Sequence, residues 1–306
     1  MTVLFAYLAI FLIWGSTFLA IRVAIDSIPP LAMMGIRCTL AGALLVAAAV
    51  VRGERPALRD WRIGVTAGAV MFGLPYAALG WAETRISSGM AALLVATLPL
   101  WLVVIEWARS GRPSARTLAG LGIGLAGVVV LVADGLRVPA SAAPMVAIIV
   151  GELAWAIGSV YLQPRLPRAV TLSAGMPLAS GGLLLMLSSA SVGEWRRLSL
   201  QSVTPASLVA LGYLIVFGSI VAFSAYVFLL KREPASRIST HAYVNPLIAV
   251  ALGVAIAGEP LTASIGIAAL VIAAGVALVL SGRNVPEPAR RSQPAWRPMR
   301  AAVGER

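Results

Sequence analysis

Apolar runs bounded by charge or proline divide the chain into ten segments, at approximately 3–25, 31–51, 63–82, 88–108, 117–133, 143–163, 171–191, 206–230, 237–258 and 264–281. A hydrocarbon core about 30 Å thick is crossed by roughly 20 helical residues. The pattern therefore predicts an all-α polytopic membrane protein with ten transmembrane helices. The ninth segment breaks the apolar rule. It holds the only histidine, His241, then Asn245 and Pro246, and it ends in Glu259-Pro260. Polar groups and a helix-breaking proline are tolerated at membrane depth where protein or a water-filled cavity covers them. This segment is expected to face an internal pathway.

The chain also repeats. A shift of 147 residues lays Pro99 on Pro246 and Pro113 on Pro260 without a gap, and Gly120 and Gly127 are echoed loosely by Gly266 and Gly275. Trp14-Gly15-Ser16 has a similar echo in Trp155, Gly158 and Ser159. Five helices are thus taken twice, over 3–133 and 143–281. Because five is odd, the second copy enters the membrane from the opposite side, the inverted-topology arrangement of many secondary transporters, whose solute sites lie near the midplane between the halves. Arg112 stands where the second copy has Glu259.

Composition agrees with membrane embedding. Of 306 residues 59% are hydrophobic and 12% charged, with a mean hydropathy of +0.91, far from an ordinary soluble domain. The net charge of +12 raises nucleic acid as a partner, yet 23 of the 24 basic residues are arginines scattered through short loops. That is the distribution of topology signals, not of a nucleic-acid face. Alternate loops hold 18 basic residues against four, which predicts both termini on the cytoplasmic side of the inner (plasma) membrane. The first segment is too long for a signal-peptide core and lacks a small-residue cleavage site, so it is expected to remain a helix. Residues 282–306, rich in Pro and Arg, read as a disordered basic cytoplasmic tail. The tail either touches anionic lipid headgroups or stays solvated and only reinforces topology.

Several chemistries are disfavoured. The single cysteine, Cys38, excludes an internal disulfide framework, and one histidine leaves no room for a HExxH metal site, so neither metal nor cofactor is expected. Gly122-Ile-Gly124-Leu-Ala-Gly127 matches the dinucleotide fingerprint but lies inside an apolar helix with no strand before it. With Gly120 it reads as small-residue spacing for close helix contact. Lys231 follows no glycine-rich loop, which argues against a nucleotide-driven pump.

Secondary transport needs a cavity that holds a solute weakly, and residues at i, i+3 or i+4 share one helix face. Candidate solute contacts are Trp14 with Thr17 and Phe18 on the first segment, Tyr76 between Gly73 and Gly80 on the third, and Trp101 with Thr97 on the fourth. The sixth adds Glu152, Trp155 and Ser159, the ninth His241 and Asn245, and the eighth carries Ser224 and Tyr226 on different faces. Aromatic residues in such helices also serve as packing residues or interfacial anchors, and hydroxyls also bond backbone carbonyls. Pro75, Pro99 and Pro246 either simply bend helices or act as hinges for gating. His241 has two readings, a bond to a neighbouring carbonyl or a role in proton coupling.

An ionised group at a helix centre costs roughly 2.5–3.5 kcal/mol and usually finds a partner inside the protein. At 1.5 Å rise per residue, Arg37 sits roughly 9 Å and Glu152 roughly 13 Å from the same outer boundary. That difference is within reach of an arginine, so a buried Arg37–Glu152 ion pair is expected. Without it, Glu152 becomes a candidate proton carrier.

Trp14-Gly15-Ser16-Thr17-Phe18, Arg37, Pro99, Asn245-Pro246, Gly258-Glu259-Pro260-Leu261-Thr262, Gly266 and Gly275, in this order over residues 3–281, resemble the drug/metabolite transporter superfamily. The nearest pattern is that of its ten-helix members built from two EamA domains. Arg112 departs from it, since the family often has an acidic residue there. The resemblance implies export of small metabolites, with amino-acid exporters, including those for aromatic amino acids, as one branch. The partners implied are a small-molecule solute and the lipid bilayer. The competing reading, a membrane-embedded enzyme acting on a lipid or lipid-linked intermediate, would need clustered Asp, His or Glu near one interface. A scaffold or sensor is disfavoured by the repeat and the intramembrane polar residues.

Overall fold

In hydrocarbon each backbone N–H and C=O has to be satisfied within the protein, so long apolar runs become helices. The computed structural model describes residues 2–110, 114–136, 142–199, 201–232, 238–239, 241–258 and 261–281. Among these there is helix and no strand. The helices are α1 (Val3–Ala24), α2 (Pro30–Val51), α3 (Leu58–Ala82), α4 in two pieces (Ser88–Val95 and Leu98–Ser110), α5 (Ala115–Leu136), α6 (Ala142–Leu162), α7 (Val170–Ser191), α8 (Pro205–Leu230), α9 (His241–Ala257) and α10 (Ala263–Ser281). Seven stretches are long and apolar enough to cross a membrane, and α9 and α10 carry shorter apolar stretches, Val244–Ala257 and Ala263–Gly275. The protein is an all-α polytopic membrane protein. Arg112, Pro113, Arg237, Glu259-Pro260 and the tail 282–306 lie outside the described residues.

Two boundaries differ from expectation for identifiable reasons. α3 begins at Leu58, ahead of the apolar run, because Asp60 accepts the Ala57 N–H at 2.9 Å and starts the helix in its charged turn. α4 is broken between Val95 and Leu98. Pro99 has no N–H to offer the Val95 carbonyl, and the chain turns there through Thr97 N–H to Leu94 O and Leu100 N–H to Thr97 O. The equivalent Pro246 lies inside α9, which continues through it.

Three helices widen into π-turns, at Ala69–Gly73 in α3, Gly158–Leu162 in α6 and Leu214–Val221 in α8. The 147-residue shift carries 69–73 onto 216–220, inside the α8 turn. Packing follows the same exchange. α1 packs on α8 and α9, while α6, five helices on, packs on α3 and α4. α3 meets α7 as α8 meets α2, and the pairs α2–α7, α4–α9 and α5–α10 map onto themselves.

Two of these self-paired contacts are backbone-close. A Cβ on Gly42 would lie 2.1 Å from the Ala179 nitrogen, and one on Gly182 would lie 2.3 Å from the Thr39 nitrogen, so α2 and α7 touch main chain to main chain. α5 and α10 do the same, since a Cβ on Gly275 would stand 2.4 Å from the Gly124 nitrogen. Small residues let helices approach closely where lipid supplies no hydrophobic drive. Each end of the α2–α7 pair is also fastened by a glutamate three residues beyond the partner's last turn. Glu194 accepts the Ala32 N–H at the start of α2 at 2.9 Å and the Ser189 hydroxyl at 2.9 Å. Glu54 accepts the Thr171 hydroxyl at the start of α7 at 2.9 Å. A carboxylate at a helix N-terminus is favoured by the helix dipole.

The contrast between glycines is testable. Gly42→Ala has to push the α2 and α7 backbones apart, at an overpacking cost of about 1–3 kcal/mol, and should lower the thermal midpoint in detergent by several degrees. Gly122→Ala meets nothing within 4 Å and should leave the midpoint unchanged in the same fluorescence-detected melting assay.

Candidate solute cavity

The helices α1, α3 and α6, which cross in exchanged pairs with α8 and α4, leave a cleft between the halves with about 600 Å³ of empty space, its open mouth included. Its wall comprises Trp14, Thr17, Phe18 and Ile21 of α1, Arg37 of α2, Pro75, Tyr76 and Leu79 of α3, Val95 of α4, Glu152 and Trp155 of α6, and His241 and Asn245 of α9. Seven of the nine candidate solute contacts lie on it, together with Pro75, Arg37 and Glu152. Trp101, Ser159, Pro99 and Pro246 do not line it. Trp101 packs against Leu98, Leu102 and their neighbours, and Ser159 hydrogen-bonds the Tyr226 hydroxyl at 3.0 Å.

The wall is strongly aromatic. Trp14 meets Trp155 edge to face at 6.1 Å between centroids, His241 at 5.2 Å and Tyr226 at 5.2 Å. Tyr76 and Trp155 are parallel within 4°, 6.3 Å apart. Phe72 and Phe223 support them from behind, each edge-on to Trp155. Aromatic pairs in these geometries contribute on the order of 0.5–1.5 kcal/mol beyond simple burial, so the lining is preorganised.

Most of its polar hydrogens are already engaged. The Trp14 indole N–H donates to Gly218 O at 3.1 Å, a carbonyl in the π-turn of α8. The Trp155 indole N–H points to the Tyr226 hydroxyl at 3.4 Å, and the Thr17 hydroxyl donates to Trp14 O at 2.7 Å. His241 donates through Nδ1 to Ile238 O at 2.7 Å, which matches the local-carbonyl reading and leaves Nε2 unprotonated in the neutral ring. The Asn245 amide, with nitrogen and oxygen assigned to satisfy both neighbours, donates to Phe11 O at 3.0 Å and His241 O at 3.1 Å.

The expected Arg37–Glu152 ion pair is not formed, as no nitrogen and oxygen of the two lie within 4.0 Å. Arg37, 2% exposed, instead donates through Nε to Ser219 Oγ at 2.8 Å on α8 and lies over the Tyr76 ring at 5.0 Å. A Cβ on Gly218 would come within 3.0 Å of the guanidinium, so glycine at that turn makes room for it. Depth alone predicted the pair, but the π-turn offers Ser219 to Arg37 first. Ser219, 182 residues away in sequence, carries no motif that would have flagged it, and neither do Ile21, Leu79 or Val95.

The EamA-like transporter family matches residues 1–133 and again 143–281. The chain belongs to the EamA-like transporter family. It is 35% identical over 284 residues to the uncharacterized inner membrane transporter YedA of Escherichia coli K12, covering 91% of this chain and 90% of that one. It is 24% identical over 296 residues to a probable amino-acid metabolite efflux pump of Salmonella typhimurium, with 94% and 98% coverage. A solved crystal structure aligns with a TM-score of 0.67 at 22% identity, over 92% of this chain and 99% of that one, and shows the same fold. As an EamA-family transporter the chain is multi-pass and has a small-molecule solute.

The Arg37–Ser219 bond predicts a matched pair of outcomes. Ser219→Ala removes a hydrogen bond to a buried charge, worth about 1.5–3 kcal/mol, and should lower the melting temperature of the detergent-solubilised protein. The Ser224 hydroxyl, buried without a hydrogen-bond partner, gives a control, since Ser224→Ala should be neutral or slightly stabilising.

Proposed function

We propose that the protein exports small neutral or amphipathic metabolites, amino acids with apolar or aromatic side chains included, by alternating access between two inverted five-helix halves. The observation that carries this reading is the cleft to which both halves contribute, walled by aromatic rings and lined by a buried arginine and a buried glutamate. α1 to α4 supply one side and α6 and α9 the other. No bond need be made or broken; the cavity has only to open to each side in turn. Pro99 and Pro246 are the hinges in this reading, because each removes a backbone hydrogen bond from one of two helices that pack on each other. Pro75, on the wall itself, is the third. The membrane is the inner membrane, with both termini in the cytoplasm, and the positive charge of alternate loops supports that orientation. The similarity to a probable amino-acid metabolite efflux pump supports the choice of solute.

Reconstituted into proteoliposomes, the protein should move members of an amino-acid panel and release them chemically unchanged. Recovery of a modified lipid or solute would support a membrane enzyme instead, and no movement across a broad panel would overturn the transport reading. Trp14→Ala should weaken half-saturation about tenfold, the scale of losing an aromatic wall contact. Trp101→Phe, which removes an indole N–H that has no partner, should leave transport unchanged. For orientation, a green fluorescent protein fused to the C-terminus should fluoresce, and alkaline phosphatase at the same place should be inactive.

A further inference from the structure

The cleft holds one acid and one base that ignore each other. Glu152 is 8% exposed and Arg37 2%, both border the same space, and no ion pair joins them. Among the described residues nothing donates a hydrogen bond to the Glu152 carboxylate. Arg37 has five N–H donors, of which Nε–H reaches an oxygen acceptor, Ser219 Oγ, and Nη1 has only the Met34 sulfur at 4.0 Å. The hydrogens of Trp14, Trp155, Thr17 and His241 point to other acceptors and not to Glu152.

A buried acid and a buried base left apart are costly to keep charged unless something completes them. A closed salt bridge would cancel both and leave the cavity nothing charged to read. Ser219 and the Tyr76 ring hold the guanidinium plane in place, as a planar cation is held by stacking and a directed bond. Its remaining N–H groups suit a carboxylate, which a guanidinium binds through parallel hydrogen bonds. Glu152, acceptor only when ionised, suits an ammonium. Trp14, Phe18 and Trp155 provide apolar surface beside both.

We propose that Arg37 and Glu152 are a split ion pair that the solute bridges. A zwitterionic α-amino acid with an apolar side chain places its carboxylate on Arg37 and its ammonium on Glu152. The two residues thereby set specificity by requiring both charges at once. This rests on the transporter reading and on amino acids as solutes, and it adds which groups recognise them.

The test is competition in proteoliposomes against whichever radiolabelled amino acid the wild type transports. Unlabelled phenylalanine is compared with phenethylamine, which lacks the carboxylate, and with 3-phenylpropionate, which lacks the ammonium. Phenylalanine should compete roughly tenfold or more better than either, the scale of one lost charged hydrogen bond. In Glu152→Gln the advantage over 3-phenylpropionate should collapse while that over phenethylamine persists. Arg37→Gln should do the reverse. Equal competition by the three compounds in the wild type overturns the proposal without any variant, and leaves transport itself standing. A Glu152→Gln protein that weakens all three compounds alike also overturns it, by giving the carboxylate a merely structural role. If the wild type transports no amino acid, the proposal falls together with the solute assignment. Glu152→Asp, which keeps the charge, should retain some of the discrimination.

Discussion

Hydrocarbon offers no partner to a polar group, so each hydroxyl, indole and guanidinium among these helices has to be met by protein or by something the cavity admits. The interior is organised by that constraint. Where helices stay regular their carbonyls are taken, and side chains find few acceptors. Where they widen or break, carbonyls and hydroxyls turn outward. The π-turn of α8 presents Gly218 O to Trp14 and Ser219 to Arg37, and Asn245, just before Pro246, ties α9 to the Phe11 carbonyl of α1. Irregular backbone clusters at this site because it feeds the hydrogen bonds that hold the cavity wall. π-turns recur at functional sites in helical proteins.

The two halves share a plan and differ in chemistry. The shift is 140 residues for α2 and α7, which begin at Pro30 and Val170, and 147 for α3 and α8, so Arg37 corresponds to Pro177 and Ser219 to Phe72. Arg37 reaches into the turn at Gly218 and bonds Ser219, whereas Phe72, in the place of Ser219, packs edge-on against Trp155. The first contact is charged and hydrogen-bonded, the second apolar. Duplicated geometry with one polar copy makes the cavity asymmetric, so that a bound molecule has a preferred orientation within it.

Much of this was legible in the chain. Apolar run length located the helices, because bilayer thickness fixes their minimum span, and helical periodicity placed Trp14, Thr17, Phe18, Glu152 and Trp155 on one wall. Periodicity gives a shared face but not which residues on it reach the cavity. Ser159 follows Trp155 by four residues and meets the same Tyr226 hydroxyl, yet Ser159 is not on the wall. Trp101 was phased from Thr97 across a break that resets the helix. Arg37 and Glu152 border the same cleft, but depth along the helices says nothing about which neighbour stands nearer in the plane. The partner Ser219 depends on packing between distant segments and leaves no local trace.

The glutamates that clasp both ends of α2 and α7 have a mechanical meaning. A helix pair with main chains in contact at its centre and with each end tied to its partner resists sliding, since translation along the axis would break both clasps and drive glycine gaps onto side chains. Rotation of one half about the crossing strains neither end as much. In the proposed alternating access the pair serves as the fulcrum, and the other helices of the cavity wall, α1, α3, α4, α6 and α9, rock around it.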